Sequence, residues 1–246
     1  MMARAIGRSL RIYHAPERRP VLDAFYARFL RPGDLAFDIG THVGDRSASF
    51  CRLGARVVSV EPQPALLRAL RLVLRGQNVA FVASLVGAAP GQATLRLNTA
   101  NPTVATASAD FIAAAAGAPG WEGQEWDGAI ALPVTTLDAL IAEHGMPHFI
   151  KIDVEGFEAA ALAGLSHAPR ALSFEFTTIQ RDVALAALAR CVALGFSAFN
   201  ACLGEGMELA HPAALNAAAM AAWLLALPAE ANSGDVYAAL DSSLLG

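Results

Sequence analysis

Short β-branched and aromatic runs alternate along this chain with stretches rich in alanine and leucine, and that alternation sets the expected elements. "LAFDI" (35–39) reads as a strand, followed by a helix from about Asp45 to Leu53. "ARVVSVE" (55–61) is a second strand with a helix from about Pro64 to Arg75, and "VAFVAS" (79–84) is a third. "HFIKID" (148–153), "ALSFEF" (171–176) and "FSAFN" (196–200) continue the series, and "GDVYAAL" near the end is the last strand. Strands separated by helical segments predict an α/β class, with a mostly parallel seven-stranded sheet covered on both faces. Between Ala89 and Leu137 the rhythm breaks. "GQATLRLN" and "AIALPVTTL" predict an extra strand pair inserted around 90–135, separated by a loop over 98–128 that holds Trp121 and Trp126. A loop of that length reads either as a lid facing an acceptor or as a packed excursion. Residues 1–32 read as a helical lead-in and 33–246 as one domain, without internal repeats.

Composition narrows the class. The chain has 246 residues, 55% of them hydrophobic and only 16% charged, with a net charge of −4. That balance argues against a nucleic-acid partner and against a polybasic membrane patch. The basic N-terminal stretch "ARAIGRSLRIYHAPERR" lacks an apolar core of signal-peptide length. No apolar run reaches the ~18–20 residues of a membrane span. The nearest approach, "MAAWLLALP", stops at Pro228. Cys51, Cys191 and Cys202 form no CxxC pair and read as free thiols of a reducing cytoplasm. Among eighteen cationic residues there is a single lysine, Lys151.

"FDIGTHVGDRS" (37–47) is the first candidate for chemistry. A parallel strand, a tight glycine turn and a helix start place backbone N–H groups above the carboxyl edge of the sheet, where ligands of open α/β sheets bind. A dinucleotide fingerprint would need glycines at 40, 42 and 45, and these positions read Gly, His and Asp. S-adenosylmethionine suits the residues better. Asp38 is placed for its amino end, while Gly40, Thr41, His42 and Gly44 form the turn on which the methionine part would lie. Glu61 closes the second strand, where a carboxylate can accept both ribose hydroxyls. Gln63 is a candidate for the ribose or base, and Ser84 for the adenine edge. The blander reading is an acid that caps the next helix and a chance glycine pair.

"IKIDVEGFE" (150–158) is the second candidate. Lys151 and Asp153 share a strand face, and Asp153 falls at the strand's carboxyl end. Glu155 and Glu158 follow in the loop and first helical turn, and Glu175 in "FEF" is expected to face the same crevice. The blander reading makes Glu155 and Glu158 helix N-terminal acids, with Lys151 a salt-bridge partner of Asp153.

"FDIGTHVGDRS", "VVSVEPQP", "VTTLDALI" and "FIKIDVEGFEAAALAGL", in that order, resemble the FkbM-type family of class I S-adenosylmethionine-dependent methyltransferases. The resemblance runs from about Gly33 to Leu240 and implies a Rossmann-like methyltransferase sheet that methylates a hydroxyl of a sugar or natural-product acceptor. It also implies that Asp38, Gly40 and Gly44 belong to the cofactor loop, that Glu61 is the ribose acid, and that Lys151, Asp153, Glu155, Gly156 and Glu158 form the acceptor-side signature. Thr41-His42 departs from the family's common Ala-Asn. An aliphatic hydroxyl needs a base. Asp153 is the first choice, Glu155 or His42 the substitutes, and Lys151 the group that orients the carboxylate. A carboxylate cluster also suits Mg²⁺ across a catechol-like acceptor, but no second Asp-Asn pair appears and no metal is expected. The loop 98–128 and the segment 212–227 are expected to shape the acceptor pocket. Two readings compete: a non-catalytic cofactor-binding relic, and a nicotinamide-dependent oxidoreductase. The second lacks a Tyr-x-x-x-Lys pair at Lys151.

Overall fold

Parallel strands buried on both faces require near-continuous apolar runs, and the first strand is buried along its whole length. The computed structural model describes residues 1–246. The chain opens with helices α1 (Met2–Tyr13) and α2 (Arg18–Tyr26), then runs β1 (Leu35–Ile39), α3 (Asp45–Arg52), β2 (Arg56–Val60), α4 (Pro64–Val73) and β3 (Val79–Val82). An inserted section follows: β4 (Leu85–Val86), β5 (Gly91–Leu97), α5 (Ala109–Ala115) and β6 (Gly128–Thr135). The remainder is α6 (Leu137–His144), β7 (Phe149–Ile152), α7 (Glu158–Ala163), β8 (Ala171–Thr177), α8 (Arg181–Ala193), β9 (Ala198–Leu203), α9 (Ala217–Ala226) and β10 (Ser233–Ala239).

The main sheet has seven strands in the order β3-β2-β1-β7-β8-β10-β9. All neighbours pair parallel except β10, which runs antiparallel between β8 and β9. From β1 the chain builds outward through β2 and β3, then returns to lay β7 on β1's other side. The strand order therefore reverses between β1 and β7, and ligands of open α/β sheets bind outside such a switch point.

The two sheet faces differ in character. One carries Phe37, Ile39, Val58, Val60, Ile150, Ile152, Leu172 and Phe174 in a large aliphatic core under α6 to α9. The other begins as an aromatic layer, in which Phe29 lies parallel to Phe149 (4.7 Å between ring centres) and to Tyr237 (5.6 Å). Leu22, Phe25 and Tyr26 of α2 belong to this same core, so that helix is packed against the sheet, whereas α1 sets Ile6 against Val43 and Leu66. Buried ring pairs of this kind add ~0.5–1.5 kcal/mol each beyond their area.

Helix ends follow from local chemistry. Pro64 opens α4, where its missing N–H costs nothing, and Thr136 caps α6 by accepting from the Ala139 N–H. The Arg181 guanidinium donates to the carbonyls of Leu224, Leu225 and Leu227 and so closes the C-terminus of α9.

The inserted section corrects one expectation. β5 and β6 form the predicted antiparallel pair, and the two-residue β4 joins them in a separate three-stranded sheet. Residues 98–128, however, are not simply a loop. They hold a 3₁₀ turn at Pro102–Val104 and α5, and they bury a small core of Val104, Phe111, Ala115 and Trp121. Trp121 meets Phe111 edge-on at 5.0 Å, and Trp126 Nε1 donates to the Val104 carbonyl.

Candidate active site

The second sheet face changes chemistry on approaching the carboxyl edge. Pairing in register sets Ser59 beside Asp38, Asp38 beside Lys151, Lys151 beside Ser173, Ser173 beside Tyr237 and Tyr237 beside Asn200. All six side chains are buried, so a polar row crosses the interior of the sheet. One pleat nearer the edge, Glu175 pairs with Asp235, and Asp153 follows Lys151 by two residues on the same face. Buried polar groups need partners, and the row largely supplies its own. Ser47 Oγ donates to Asp38 Oδ2 at 2.6 Å and sits 2.6 Å from Ser59 Oγ. Lys151 Nζ donates to Asp153 Oδ2 at 2.9 Å and to Asp235 Oδ1 at 3.2 Å.

Above these rows lies a cleft of about 290 Å³. Asp38, Gly40, Thr41, His42, Glu61, Gln63, Ser84, Lys151, Asp153, Glu155 and Glu175 all line it. The tips of β1, β2 and β7 thus meet at one cavity, as the motif order predicts. The β1 and β7 tips touch: a Cβ added to Gly40, whose φ is +79°, would lie 1.6 Å from the Asp153 carbonyl oxygen.

Several residues differ from their expected placement. Gly44 does not line the cleft; it starts α3, and a Cβ there would meet the Leu70 side chain. Glu158 faces the loop instead, its Oε1 accepting the N–H groups of Val154 and Gly156. This is the bland helix-start role. The Thr41 hydroxyl is spent on the carbonyls of Asp38 and Val60. Ser84 Oγ donates to Leu85 or Pro133 carbonyls, which leaves it only acceptor capacity toward a ligand. Residues 212–227 contribute nothing to the lining, because α9 buries Met220 and Leu224 in the opposite core.

The electrostatics follow from burial. Glu61 is pushed up to about 8 by burial, against the pull of the Gln63 and His42 N–H groups that its two oxygens accept. Burial likewise lifts Asp38 to about 6, opposed by the Ser47 hydroxyl. It lowers His42 to about 4, leaving a neutral imidazole edge-on to Tyr13 at 5.3 Å. For Lys151 burial favours the neutral amine, but Asp153 and Asp235 more than reverse this and hold the ammonium well above its ordinary value. Glu155 and Glu175 are driven well above the usual carboxylate range, first by burial and then by neighbouring acids, with Asp153 foremost.

Residues not read from the sequence complete the walls. Tyr13 comes from α1, and Leu95 and Val104 from the inserted section. Arg46 joins Asp45 and Glu205, and Glu205 also takes Arg18 at 2.7 Å. Asp235 had one available signal: it is the only charged residue of the last strand, "SGDVYAA". Tyr13 and Glu205 had none, because loops and a distant helix bring them in.

A switch-point cleft rimmed by acids on three neighbouring strand ends, on a seven-stranded sheet with one antiparallel strand, defines a class I S-adenosylmethionine-dependent methyltransferase fold. Residues 38–187 match the methyltransferase FkbM domain, so the chain belongs to the FkbM methyltransferase family. No curated protein sequence matches it. Solved structures resemble it distantly. An O-methyltransferase from Bacillus cereus in complex with SAH has 12% identity and a TM-score of 0.48, over 96% of this chain and 90% of that one. A TehB-like SAM-dependent methyltransferase from Corynebacterium glutamicum has 10% identity and a TM-score of 0.46, over 89% and 86%. Fibrillarin from Aeropyrum pernix, solved with natively bound S-adenosyl-L-methionine, has 10% identity and a TM-score of 0.45, over 88% and 76%.

The cofactor of this family is S-adenosylmethionine, and the residues present fit it. Bare backbone lies at Gly40, the Glu61 carboxylate is pre-oriented with lone pairs to spare, and Gln63 Oε1 is buried without a donor. No helix is long and apolar enough to cross a membrane.

Proposed function

We propose that this methyltransferase acts on a hydroxyl of a small-molecule or glycan acceptor, with Asp153 as the group that takes the hydroxyl proton. The observation that carries this reading is the Lys151–Asp153 pair. Lys151 is buried, with 3% of its side chain exposed, whereas Asp153 keeps 34% exposure into the cleft. A buried ammonium at 2.9 Å fixes the carboxylate's orientation and leaves Oδ1 free toward the cavity. His42 suits the role less, since its burial leaves a weakly basic imidazole. Glu155 and Glu175 suit it less as well, since neither has a donor on its buried Oε2 to orient it as Lys151 orients Asp153.

On the cofactor side, Glu61 accepts the ribose hydroxyls and Gln63 Oε1 accepts an amino group of the base. Gly40 leaves room beside the Asp153 carbonyl, and Asp38, which lines the cleft with its Oδ2 held by Ser47, faces the amino end of the cofactor. When bound, the cofactor supplies an activated methyl group. The chain aligns an oxygen behind it, accepts one proton and keeps water out, which suits a cleft walled by Trp121, Leu95 and Val104. Three free thiols, two of them buried, support a reducing, cytoplasmic setting.

The test is methyl incorporation from labelled S-adenosylmethionine into a metabolite extract, comparing wild type with Asp153→Asn. Turnover should fall by ~10²–10⁴-fold in the variant, while cofactor affinity measured by calorimetry stays within a few-fold. Unchanged turnover removes Asp153 from the chemistry, and label found only on nitrogen or carbon refutes the hydroxyl reading.

A further inference from the structure

Most acids around the cleft have donors. Asp38 takes Ser47, Glu61 takes two backbone N–H groups, Glu158 takes two more, and Asp235 takes Lys151. Glu155 and Glu175 differ. Each has its Oε2 buried with no hydrogen-bond partner, and Glu155 is only 7% exposed. Both stand beside Asp153, and the three residues can each present one carboxylate oxygen within 4.8 Å of the other two. The ammonium of Lys151 is the one cation bonded into this group, and it is already shared between Asp153 and Asp235. Four carboxylates therefore face one positive charge in a largely dehydrated wall. An arrangement with acids converging and donors missing is costly unless something cationic enters.

We propose that Asp153, Glu155 and Glu175 bind one hard divalent cation, Mg²⁺ or Mn²⁺, at the acceptor end of the cleft. The donor set is all carboxylate oxygen, with neither imidazole nor thiolate among the three. Such a set suits hard ions and gives little advantage to zinc or copper. Lys151 occupies Asp153 Oδ2, so Oδ1 remains for the ion, whose binding there would compete with the proton-accepting role proposed for that oxygen in the ion-free site. The elements that carry the three ligands are well anchored. β8 pairs Glu175 with Asp235, and the Glu155 carbonyl accepts from Thr106 Oγ1 of the inserted section at 2.6 Å. Three ligands leave part of an octahedral shell open to water and to the acceptor. The favoured acceptors are then compounds with two oxygens on adjacent atoms, such as vicinal diols or hydroxy-carbonyl units. The inference rests on the proposed function only for where the acceptor lies; ion binding stands apart from it. The rival occupant is an ammonium group of an amine-bearing acceptor.

The full-length chain, stripped with chelator, is titrated with MnCl₂ while electron paramagnetic resonance follows the loss of free Mn²⁺. A parallel calorimetric titration uses S-adenosylmethionine. One Mn²⁺ per chain is expected, weakened at least about ten-fold in Glu175→Gln and in Glu155→Gln. It should be unchanged in Glu143→Gln, an exposed acid of α6. Two acid variants guard against one failing to fold. Absence of Mn²⁺ uptake by the wild-type chain overturns the proposal, and so does uptake by both acid variants with the affinity of the wild type. Glucosamine binding without Mn²⁺ uptake would mark an ammonium site and also overturn it. Cofactor binding without Mn²⁺ uptake sinks the cation site alone, whereas Mn²⁺ uptake without cofactor binding sinks the methyl-donor reading alone.

Discussion

Replacing Gly40 with alanine should damage both the fold and the cleft, and Gly33→Ala supplies an internal control. Both glycines sit at positive φ, +79° and +91°, so alanine pays a similar backbone penalty at each, ~1–2 kcal/mol. Their surroundings are opposite. Nothing lies within 4 Å of a Cβ at Gly33, whereas at Gly40 it would fall 1.6 Å from the Asp153 carbonyl oxygen. Real Cβ contacts stay beyond 3.0 Å, so the strand tips would have to part by about 1.4 Å. That movement pulls on the bonds from Asp153 N–H to Ile39 and from Gly40 and Thr41 N–H to Val60. At ~1 kcal/mol for each weakened bond, Gly40→Ala should lose about 2–4 kcal/mol more than Gly33→Ala. In thermal unfolding that is a further drop of ~4–16 °C, at 2–4 °C per kcal/mol for a chain of this size. Calorimetry should show cofactor affinity reduced at least about ten-fold in Gly40→Ala and unchanged in Gly33→Ala. Equal melting temperatures for the two variants would refute the claimed contact between the β1 and β7 tips.

Other consequences can be checked on the same protein. At pH 9, where Glu61 is ionised, Glu61→Gln replaces a carboxylate that accepts two backbone N–H groups and has room for two hydroxyls, so cofactor affinity should fall ~10–100-fold, the ~1.5–3 kcal/mol of charge-assisted bonds; a change under two-fold in calorimetry at that pH would remove Glu61 from the cofactor site. Glu61 also sets a pH dependence. Its folded-state value, about 8, lies above the ordinary 4.5, so its contribution to stability is full below about pH 4.5 and disappears as pH rises through 8. Above about pH 7.5 His42 is neutral in both states, so the cofactor-free protein should melt lower at pH 9 than at 7.5, and Glu61→Gln should reduce that slope. Lys151→Met strips the shared partner from Asp153 and Asp235 and should destabilise by ~3–5 kcal/mol, with Asp235→Asn restoring part of the loss in the double variant. Additive losses in urea unfolding would contradict the pairing.

Much of this was legible because parallel strands announce themselves. β1, β2 and β7 are short apolar runs, each followed by a polar turn, and their tips had to share an edge once the sheet was parallel. Asp38, Glu61 and Asp153 could therefore be placed together without coordinates. The direction of individual side chains could not. Whether Gly44 faced ligand or Leu70 depended on α4 packing behind α3, a contact between separate segments. The helix within 98–128 escaped notice because seven residues of "ADFIAAA" carry little periodicity, and its cap, Ser108 accepting from Phe111 N–H, is a single local contact. The segment 212–227 was apolar enough to line a pocket, yet a helix that hydrophobic is equally suited to a core. The sheet's order, with β10 between β8 and β9, decided which side of the molecule it covered.

That same order explains the lone lysine in a chain whose other cations are all arginine. Lys151 stands on a central strand with β1 on one side and β8 on the other, inside a polar row sealed from solvent. It must reach Asp153 two residues ahead on its own strand and Asp235 two strands away, at 2.9 and 3.2 Å. A guanidinium is a planar fork that needs width and matches one carboxylate bidentately. An ammonium is a compact charge with three donors on a flexible stem, and it fits the narrow space between adjacent strands while serving two acids that diverge. Lys151→Arg should thus behave as a disruptive change despite its unchanged charge. The guanidinium would have to displace Ser173 or Asp38 on the flanking strands, and Asp153 would lose the orientation on which its access to the cleft depends.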